Sequence, residues 1–247
     1  MNKILEKEHF SEKVVKLVVE APMIAKARKP GHFVIVICEE HGERIPLTIA
    51  DADTERGTIT LVIQAIGLST QKICAKEPGE YLADVVGPLG QPTHISKFGT
   101  VVCCGGGVGV APLLPIIKAM KAAGNRVITV LAARTKDLII LEDQVRPWSD
   151  EVIIMTDDGS YGRQGLVTNG VEDVIQREQV DMVVTIGPAI MMKFVSLLTA
   201  KYKVPTMASL NTIMVDGTGM CGACRITVGG KTRLVCGDGP EFDAQSV

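Results

Sequence analysis

The sequence has no run of about 18 apolar residues, so it offers no candidate membrane-spanning helix. Its first 13 residues are charged from Lys3 onward and lack the apolar core of a secretory signal. It also lacks an excess of either charge, because 26 Lys and Arg residues against 28 Asp and Glu residues give a net charge of −2. This balance argues against nucleic acid or an anionic membrane as the partner. We therefore expect a cytoplasmic protein whose 247 residues form one large domain or two to three small ones.

Histidine is also scarce, and nothing indicates a disulfide framework. No two histidines are placed to form an acid–base dyad, and each is expected on the surface or in a loop: His9, His32, His41 and His94. Seven cysteines in a chain of this length and expected compartment favour a metal site, a cluster or buried thiols over disulfides. Cys38, Cys74 and Cys103 lie in apolar contexts, where we expect small buried hydrophobes.

Changes in the residue pattern divide the chain into three parts, 1–97, 98–208 and 209–247. The first part predicts a small β-barrel, because short β-branched runs alternate with Gly and Pro. The second predicts an α/β domain with a parallel sheet, because apolar strands alternate with helices. The third is rich in Gly and Cys. The predicted strands are 13–22, 32–38, 47–50, 58–64, 81–86, 100–104, 127–133, 151–155, 182–186, 225–228 and 232–235, and the predicted helices are 111–123, 166–177 and 190–202.

The strongest chemical signal lies near the C-terminus, where three cysteines follow an aspartate in a glycine-rich stretch. Asp216, Cys221, Cys224 and Cys236 are separated by four, two and eleven residues. Plant-type [2Fe–2S] proteins use C-x₄-C-x₂-C followed by a more distant cysteine. The segment therefore predicts a [2Fe–2S] cluster with Asp216 at the first ligand position. A carboxylate is a competent anionic donor to iron and would change the reduction potential of the cluster.

Other interpretations of this segment stay open. Three cysteines and one aspartate can hold a structural zinc ion, although the second C-x₂-C pair of a zinc ribbon is missing. The cysteines can also form a buried thiol cluster without metal. Asp238 is an alternative to Asp216 as the fourth ligand, because it lies two residues after Cys236.

A glycine run from Gly105 to Gly109 joins an apolar strand to a predicted helix that has Pro112 in its first turn. Glycines in this position let the backbone approach a pyrophosphate, and the helix N–H groups stabilise its charge. The G-x-G-x-G spacing disfavours a classical Rossmann dehydrogenase, as does the lack of an acidic residue after the second strand, which continues with Arg134. A tight strand-to-helix turn without a ligand is the alternative.

Two further loops follow strands of the same predicted sheet. Asp157 and Asp158 come after the third strand, and Gly187 and Pro188 come after the fourth. Ligands of open α/β sheets bind at the carboxyl ends of the strands. Convergence of these loops with the glycine run therefore strengthens the prediction of a nucleotide site.

A short segment of the barrel region combines a cation with a hydroxyl group. Arg44 and Thr48 bracket the sequence Arg-Ile-Pro-Leu-Thr. An Arg can pair bidentately with a flavin pyrophosphate, and a Thr hydroxyl can hydrogen-bond the reactive edge of a flavin. Residues 67–70 form a second small polar loop that can contact phosphate. The alternatives are an exposed Arg and an ordinary strand Thr, since isolated motifs mislead.

In this order, the motifs resemble the ferredoxin–NADP reductase superfamily over essentially the whole chain. Two of its groups look most similar. One comprises the small (alpha) subunits of bifurcating NADH-dependent reduced ferredoxin:NADP oxidoreductases, also called sulfide dehydrogenases. The other comprises the electron-transfer subunits of dihydroorotate dehydrogenase B. Asp216 favours the first group, because the second is expected to have Cys at that position.

The resemblance implies a role for each motif. Thr48 is the implied catalytic residue, close to flavin N5. The implied FAD contacts are Arg44, Pro46, Leu47, Thr48, Gly67, Ser69 and Thr70, the implied nicotinamide nucleotide contacts are Gly105, Gly106, Gly107, Gly109, Pro112, Asp157 and Asp158, and the implied iron ligands are Asp216, Cys221, Cys224 and Cys236. Typical members have Arg three residues before the Ser or Thr, whereas Arg44 is four residues before Thr48. The contact of Arg44 is therefore expected to be displaced.

The resemblance also implies the function. Hydride is exchanged between NAD(H) and FAD, and single electrons pass through the [2Fe–2S] cluster to a larger partner subunit. That partner carries flavin and [4Fe–4S] clusters and binds NADP(H) and ferredoxin. NAD(H) is favoured for this chain, because no basic pair follows Arg134. The alternatives are the electron-transfer subunit of dihydroorotate dehydrogenase B, or a related hydrogenase or sulfide-linked reductase, and, more distantly, a zinc-stabilised nucleotide-binding module without a redox role.

Overall fold

The structure, a computed structural model, describes residues 1–247 and contains two compact units. The barrel unit consists of residues 1–93, 211–226 and 232–240, and the α/β unit consists of residues 94–210, 227–231 and 241–247. Both units therefore include pieces of the C-terminal part of the chain. The division by cofactor at residues 97 and 208 stays a prediction. No helix combines the length and the apolar composition needed to cross a bilayer.

The barrel unit is built on a seven-stranded antiparallel sheet with the order β6-β1-β2-β5-β4-β3-β7. Its elements are β1 (Asn2–His9), β2 (Val14–Glu20), α1 (Pro22–Ala27), β3 (Phe33–Ile37), β4 (Arg44–Asp53), β5 (Thr58–Gln64), α2 (Leu68–Ala75), β6 (Tyr81–Leu82) and β7 (Asp84–Leu89). The two edge strands, β6 and β7, are separated in the chain by Ala83 alone. The sheet therefore curls into a nearly closed barrel, and Val34, Ile59 and Leu61 are fully buried inside it.

The predicted barrel is confirmed, with differences at its strand ends. Strand β5 has the predicted bounds, because its β-branched residues alternate between the core and the outside. The predicted strand 13–22 ends earlier, since Pro22 begins α1, where its missing N–H costs no hydrogen bond. Strand β1 is not predicted at all. Half of its eight residues are charged, and Ile4 is its one buried side chain.

The α/β unit is built on a second seven-stranded sheet with the order β11-β10-β9-β8-β12-β13-β16. Its elements are β8 (Thr100–Gly106), α3 (Val110–Ala122), β9 (Arg126–Ala133), α4 (Glu142–Val145), β10 (Glu151–Thr156), β11 (Arg163–Gln164), α5 (Val167–Arg177), β12 (Met182–Ile186), α6 (Ala189–Lys201), β13 (Thr206–Ser209) and, after the cysteine segment, β16 (Glu241–Asp243). All pairs are parallel except the antiparallel addition of β16 to β13. The predicted parallel sheet is confirmed.

The cysteine segment itself has little regular structure. It contains a two-stranded sheet of β14 (Arg225–Val228) and β15 (Lys231–Leu234), followed by the single turn α7 (Val235–Asp238). Residues 210–224 form no helix or strand. The conformation of residues 210–224 therefore depends on the glycine residues and on the contacts of individual side chains.

Two predictions concern residues that are buried in the structure. Cys38, Cys74 and Cys103 are buried, as expected. His32 lies in the loop before β3, as expected, but it is only 9% exposed. Its Nδ1 accepts a hydrogen bond of 3.1 Å from the backbone N–H of Lys29. Burial first, and then the positive charges of Lys29 and Arg28, lower the pKa of His32, so the imidazole is held neutral.

Candidate functional site

The cysteine segment brings two of its three cysteines together. The Sγ atoms of Cys224 and Cys236 are 3.2 Å apart, and both residues are buried. The backbone N–H of Cys236 donates to Cys224 Sγ at 3.4 Å, as expected beside a metal-bound sulfur. Burial, and then the neighbouring Cys224 thiol, raise the pKa of Cys236 to about 11. Metal binding by Cys236 must therefore release its proton.

Cys221 is exposed, and its Sγ accepts a hydrogen bond of 3.5 Å from the backbone N–H of Ala223. The structure does not draw three or more candidate ligands into one close group. What it brings to Cys221 is Asp216, whose Oδ2 accepts a hydrogen bond of 2.6 Å from the Cys221 backbone N–H. The predicted ligands therefore fall into two neighbouring pairs along the chain, one of Asp216 with Cys221 and one of Cys224 with Cys236.

Asp216 closes the loop with its carboxylate. Oδ1 accepts hydrogen bonds from the backbone N–H and the hydroxyl of Thr218, and Oδ2 accepts the bond from Cys221. The bond from the Thr218 backbone is the largest cause that lowers the pKa of Asp216, which falls to about 2. Asp216 is therefore an anionic oxygen donor throughout the physiological pH range.

Asp238, the alternative ligand, has both oxygens engaged elsewhere. Its Oδ2 accepts a hydrogen bond of 2.7 Å from the backbone N–H of Leu234, and Arg233 pairs with Oδ1 at 3.5 Å. These bonds hold the α7 turn. Both oxygens of Asp216 accept hydrogen bonds too, but one of these bonds comes from the backbone of Cys221. The geometry therefore favours Asp216 over Asp238 as the partner of the cysteines, and the assignment itself stays a prediction.

The donor set fits a two-metal cluster. Two thiolates on one tetrahedral metal lie about 3.8 Å apart, given a metal–sulfur bond of about 2.3 Å. The Cys224–Cys236 separation of 3.2 Å is close to that value, so this pair suits one iron after a small opening. Asp216 and Cys221 then remain as the pair for a second iron, in agreement with the predicted [2Fe–2S] site.

The barrel strand β4 presents the predicted flavin contacts on one face. Ile45 and Leu47 pack against the barrel core, so Arg44, Pro46 and Thr48 point to the opposite side of the strand. Thr48 pairs with Phe33 of β3 and is half-buried. Its hydroxyl makes no hydrogen bond to the protein and is free to meet a ligand. The side chain of Leu47 lies on the core side of β4, opposite the face of Arg44, Pro46 and Thr48 that a flavin would contact.

Arg44 has hydrogen-bond partners that its sequence motif does not predict. Its Nε donates to the carbonyl oxygen of Val215, and its Nη2 donates to the carbonyl oxygen of Asp216 at 3.4 Å. These carbonyls belong to the cysteine segment, 171 and 172 residues later in the chain. No signal could have revealed them from the sequence, because a backbone carbonyl is present at every position.

The predicted loop 67–70 is instead the beginning of a helix. Gly67 is the N-cap of α2, and Thr70 Oγ1 accepts a hydrogen bond of 3.0 Å from the Gly67 N–H and donates one of 2.9 Å to the Gly67 carbonyl. The Ser69 hydroxyl donates to the carboxylate of Glu43. Thr70 thus serves to cap its own helix, and Ser69 contacts an anion that would repel phosphate. Their contacts with FAD stay a prediction.

The glycine run has two parts with different surroundings. The first part is strand: Gly105 and Gly106 are the last residues of β8, and they pair with β12 and β9. A Cβ on Gly105 would lie 3.3 Å from the Cα of Val110, and one on Gly106 would lie 3.2 Å from Pro188 Cδ. These two glycines therefore serve the packing of helices on the sheet, which corrects the prediction that β8 ends at Cys104.

The second part of the run is an open turn. Gly107 has φ +54, and a Cβ at this position would meet no atom within 4 Å. Gly109 is buried, and its Cα hydrogen faces the carbonyl of Ile186 at the end of β12. Helix α3 begins directly afterwards, with Pro112 in its first turn. The backbone at Gly107 is thus accessible beside a helix N-terminus, the arrangement that suits a pyrophosphate.

Loops that follow three strands of the sheet lie at its carboxyl edge, and two of them are in contact. The turn after β8 lies against the loop after β12, because a Cβ on Gly109 would approach the Cα of Gly187 at 2.8 Å. Strand β8 lies between β9 and β12, so the chain reverses direction across the sheet here, as in the nucleotide crevices of open α/β sheets. The Asp157 turn follows β10, two strands from β8.

Asp157 and Asp158 differ in their engagement. The Asp158 carboxylate accepts hydrogen bonds from the hydroxyl and the backbone N–H of Ser160, at 2.7 and 2.9 Å, and these bonds lower the pKa of Asp158. Asp157 is bonded through its backbone, and its side chain is exposed. Asp157 is therefore the one of the two that is available to a nucleotide hydroxyl. The nucleotide contacts of both stay predictions.

Comparison with protein families supports both chemical segments. Residues 211–247 match the iron–sulfur cluster binding domain of dihydroorotate dehydrogenase B. Residues 103–197 match the oxidoreductase NAD-binding domain. The predicted iron–sulfur and nicotinamide nucleotide cofactors are thus confirmed at the level of these domains.

Individual relatives extend over the whole chain. The dihydroorotate dehydrogenase B (NAD(+)) electron-transfer subunit homolog of Thermotoga maritima is 46% identical over all of this chain and 87% of its own length. A chain of the NADH-dependent reduced ferredoxin–NADP oxidoreductase, solved for insight into flavin-based electron bifurcation, is 44% identical. Its structure superposes with a TM-score of 0.96 over 100% of this chain and 89% of that one.

A more distant structure shares the fold alone. The ferredoxin NADP⁺ reductase of Neisseria gonorrhoeae, which has FAD and NADP bound, is 16% identical, with a TM-score of 0.66. The match covers 81% of this chain and 89% of the reductase. The barrel and the parallel sheet are therefore both present in this reductase.

Proposed function

The chain belongs to the family of dihydroorotate dehydrogenase B electron-transfer subunits and their homologues, with a ferredoxin–NADP reductase-like fold, and on this premise we propose that it passes electrons between NAD(H) and a larger partner subunit through FAD and a [2Fe–2S] cluster. It is an electron-transfer subunit of an NADH oxidoreductase, of the dihydroorotate dehydrogenase B type or of the bifurcating type. The observation that carries the proposal is the cysteine segment. It has the residue spacing of a [2Fe–2S] site, its Cys224 and Cys236 thiols are paired, and its Asp216 carboxylate has a low pKa.

Each cofactor has residues of this chain suited to hold it. Asp216, Cys221, Cys224 and Cys236 would hold the irons. The ligand face of β4 would receive FAD, with Thr48 at the reactive edge, and the open backbone at Gly107 would receive the pyrophosphate of NAD(H). When bound, FAD accepts an electron pair as hydride and the cluster transfers single electrons, so the protein supplies orientation and electrostatics.

We assign the chain to the bifurcating type, because an aspartate occupies the first ligand position. The partner would then be a larger subunit with flavin and [4Fe–4S] clusters that binds NADP(H) and ferredoxin. The family match of residues 211–247 favours the second candidate, the electron-transfer subunit of dihydroorotate dehydrogenase B. Isolation of the native complex separates the two, because one partner oxidises dihydroorotate and the other exchanges electrons with ferredoxin and NADP(H). The cytoplasmic location stays a prediction.

Spectroscopy on anaerobically purified full-length protein tests the proposal directly. We expect flavin absorbance, a broad cluster absorbance, and two iron and two acid-labile sulfide per chain. NADH should bleach the flavin bands and part of the cluster absorbance. A colourless protein with one zinc ion per chain would refute electron transfer and leave the zinc-stabilised nucleotide-binding module as the function.

The Thr48 hydroxyl is expected to contribute to hydride transfer. Thr48→Val removes this group with little change in shape, and it should slow flavin reduction by NADH about tenfold, the effect of one hydrogen bond of about 1.4 kcal/mol. Stopped-flow absorbance under anaerobic conditions measures the rate. The matched control is Thr60→Val on β5 of the same barrel, which should leave the rate unchanged. A wild-type rate in Thr48→Val would remove Thr48 from the hydride site.

Asp216→Cys is expected to keep the cluster and shift its reduction potential, because a thiolate donates more charge to iron than a carboxylate does. EPR-monitored redox titration measures the midpoint potential and the g-values. Asp238→Asn is the paired variant, and it should leave both unchanged while weakening the α7 turn. If Asp238→Asn shifts the potential and Asp216→Cys does not, the two aspartates exchange roles.

A further inference from the structure

Arg44 links the barrel strand that carries Thr48 to the loop that carries Asp216. It lies at the first position of β4, on the same face as Thr48. From there its guanidinium donates to the carbonyl oxygens of Val215 and Asp216. One side chain therefore spans from the proposed flavin face to the backbone of the first iron ligand, within the barrel unit.

The loop around Asp216 has a second attachment immediately after it. Gly217 has φ +78 and sits directly on two barrel side chains, so that a Cβ would lie 2.7 Å from Leu89 Cδ1 and 2.9 Å from Ile35 Cγ1. The backbone of Asp216 is therefore held between the Arg44 bonds and the Gly217 contact, whereas Ile213 before it and Met220 after it are 80% and 89% exposed.

We propose that Arg44 is a positioning residue for the cluster: it holds the main chain of Asp216 against β4, and its positive charge raises the reduction potential of the bound cluster. This inference rests on the proposed function. A guanidinium stays charged at all relevant pH values, and it is fixed at the carbonyl of an iron ligand. A fixed positive charge favours the reduced, more negative cluster over the oxidised one. Removal of the charge should therefore lower the midpoint potential.

The position also leaves Arg44 able to contact FAD. A guanidinium has five N–H donors, and the two loop carbonyls occupy two of them. The remaining three can face a flavin bound along β4. A role in FAD binding alone makes a different prediction, namely that substitution releases flavin and leaves the cluster unchanged.

Two substitutions separate the charge from the geometry. Arg44→Gln removes the charge and one of the two bonds, whereas Arg44→Lys keeps the charge and loses the fork that reaches both carbonyls. Each variant is purified anaerobically as the full chain, and its iron, sulfide and flavin contents are measured. EPR-monitored titration then gives the midpoint potential. Arg56→Gln, at the β4–β5 turn of the same unit, is the matched control, because its guanidinium pairs with the surface residue Glu6.

Hydrogen exchange on the metal-free protein gives a readout that does not depend on the cluster. The backbone N–H groups of Thr218 and Cys221 are bonded to the Asp216 carboxylate, so their protection reports the position of that side chain. Both Arg44 variants should exchange these amides about tenfold faster than the wild type, which corresponds to loss of one hydrogen bond. Arg56→Gln should exchange them at the wild-type rate.

The expected result is a lowered midpoint potential in Arg44→Gln, a smaller shift in Arg44→Lys, and faster exchange in both. Unchanged potential and unchanged exchange would overturn the inference, as would loss of flavin with both readouts unchanged. If Arg44→Gln does not fold, Arg44→Lys decides by the exchange of the same amides. If the wild-type chain contains no iron, the proposed function fails, while the exchange measurement still decides whether Arg44 fixes Asp216.

Discussion

Cys236→Ala is expected to abolish the [2Fe–2S] cluster, with bound iron reduced more than roughly 100-fold, because a direct ligand contributes more than the outer-shell groups whose loss costs 10- to 100-fold. Cys236 is paired with Cys224 at 3.2 Å inside the protein, so no water can replace it freely as a ligand. NADH should still reduce the flavin, since Thr48 and Gly107 lie in other segments. Electron transfer beyond the flavin should cease. Iron and sulfide analysis, together with anaerobic spectra, measures the effect.

Cys38→Ala is the matched control for this variant. Cys38 is also a buried thiol of the barrel unit, and burial raises its pKa. The Cys38→Ala variant should be slightly less stable than the wild type, because the substitution leaves a small cavity, and its iron content should be unchanged. Normal iron content in Cys236→Ala would contradict the ligand assignment. Loss of iron in both variants would show instead that the cluster responds to any disturbance of the barrel unit.

Gly109→Ala is expected to destabilise the α/β unit by about 3 kcal/mol, because its Cβ would collide with backbone atoms that cannot rotate away. The Cβ would stand 2.7 Å from the carbonyl carbon of Ile186 and 2.8 Å from the Cα of Gly187. Relief would require the β8 turn and the β12 loop to separate. Thermal unfolding should show this as a melting temperature lower by roughly 2 to 4 °C for each kcal/mol.

Gly107→Ala, two residues earlier, should act on nucleotide binding more than on folding. Its Cβ meets no atom of the protein, so the folding cost is about 1 kcal/mol for the left-handed backbone. We expect the KM for NADH to rise about tenfold, because the methyl group occupies the space through which a pyrophosphate approaches. If Gly107→Ala leaves KM unchanged while Gly109→Ala unfolds, the run is a structural turn and the pyrophosphate lies elsewhere.

Much of the fold could be predicted because burial imposes a period on the chain. Strand β5 alternates between inside and outside, and the apolar strand β12 is followed directly by Gly187 and Pro188. Where burial is weak, this signal disappears. Strand β1 buries Ile4 among charged residues, and it forms because β2 and β6 offer their backbone hydrogen-bonding groups. Such pairing depends on neighbours that are distant in sequence.

The candidate site shows the same division. The cysteine spacing and the open glycine turn could be predicted, because both depend on residue type at short range. The buried state of His32 could not, since it depends on the three-dimensional surroundings of the residue. The functions of individual glycines could not either. Gly107 and Gly109 are the same residue type, but a Cβ would meet open space at Gly107 and backbone atoms at Gly109. Only the tertiary packing distinguishes the two.

The sequence by itself determined the chemistry available to this protein: three thiols and a carboxylate at cluster spacing, a glycine turn between a strand and a helix, and a guanidinium four residues before a hydroxyl. These follow from covalent spacing, which does not change on folding. The tertiary structure alone decided which partners those groups meet. Arg44 bonds carbonyls 171 and 172 residues away, and Cys224 approaches Cys236 across a hairpin. Such contacts arise when packing brings distant backbone together, and backbone groups are the same at nearly every position of a sequence.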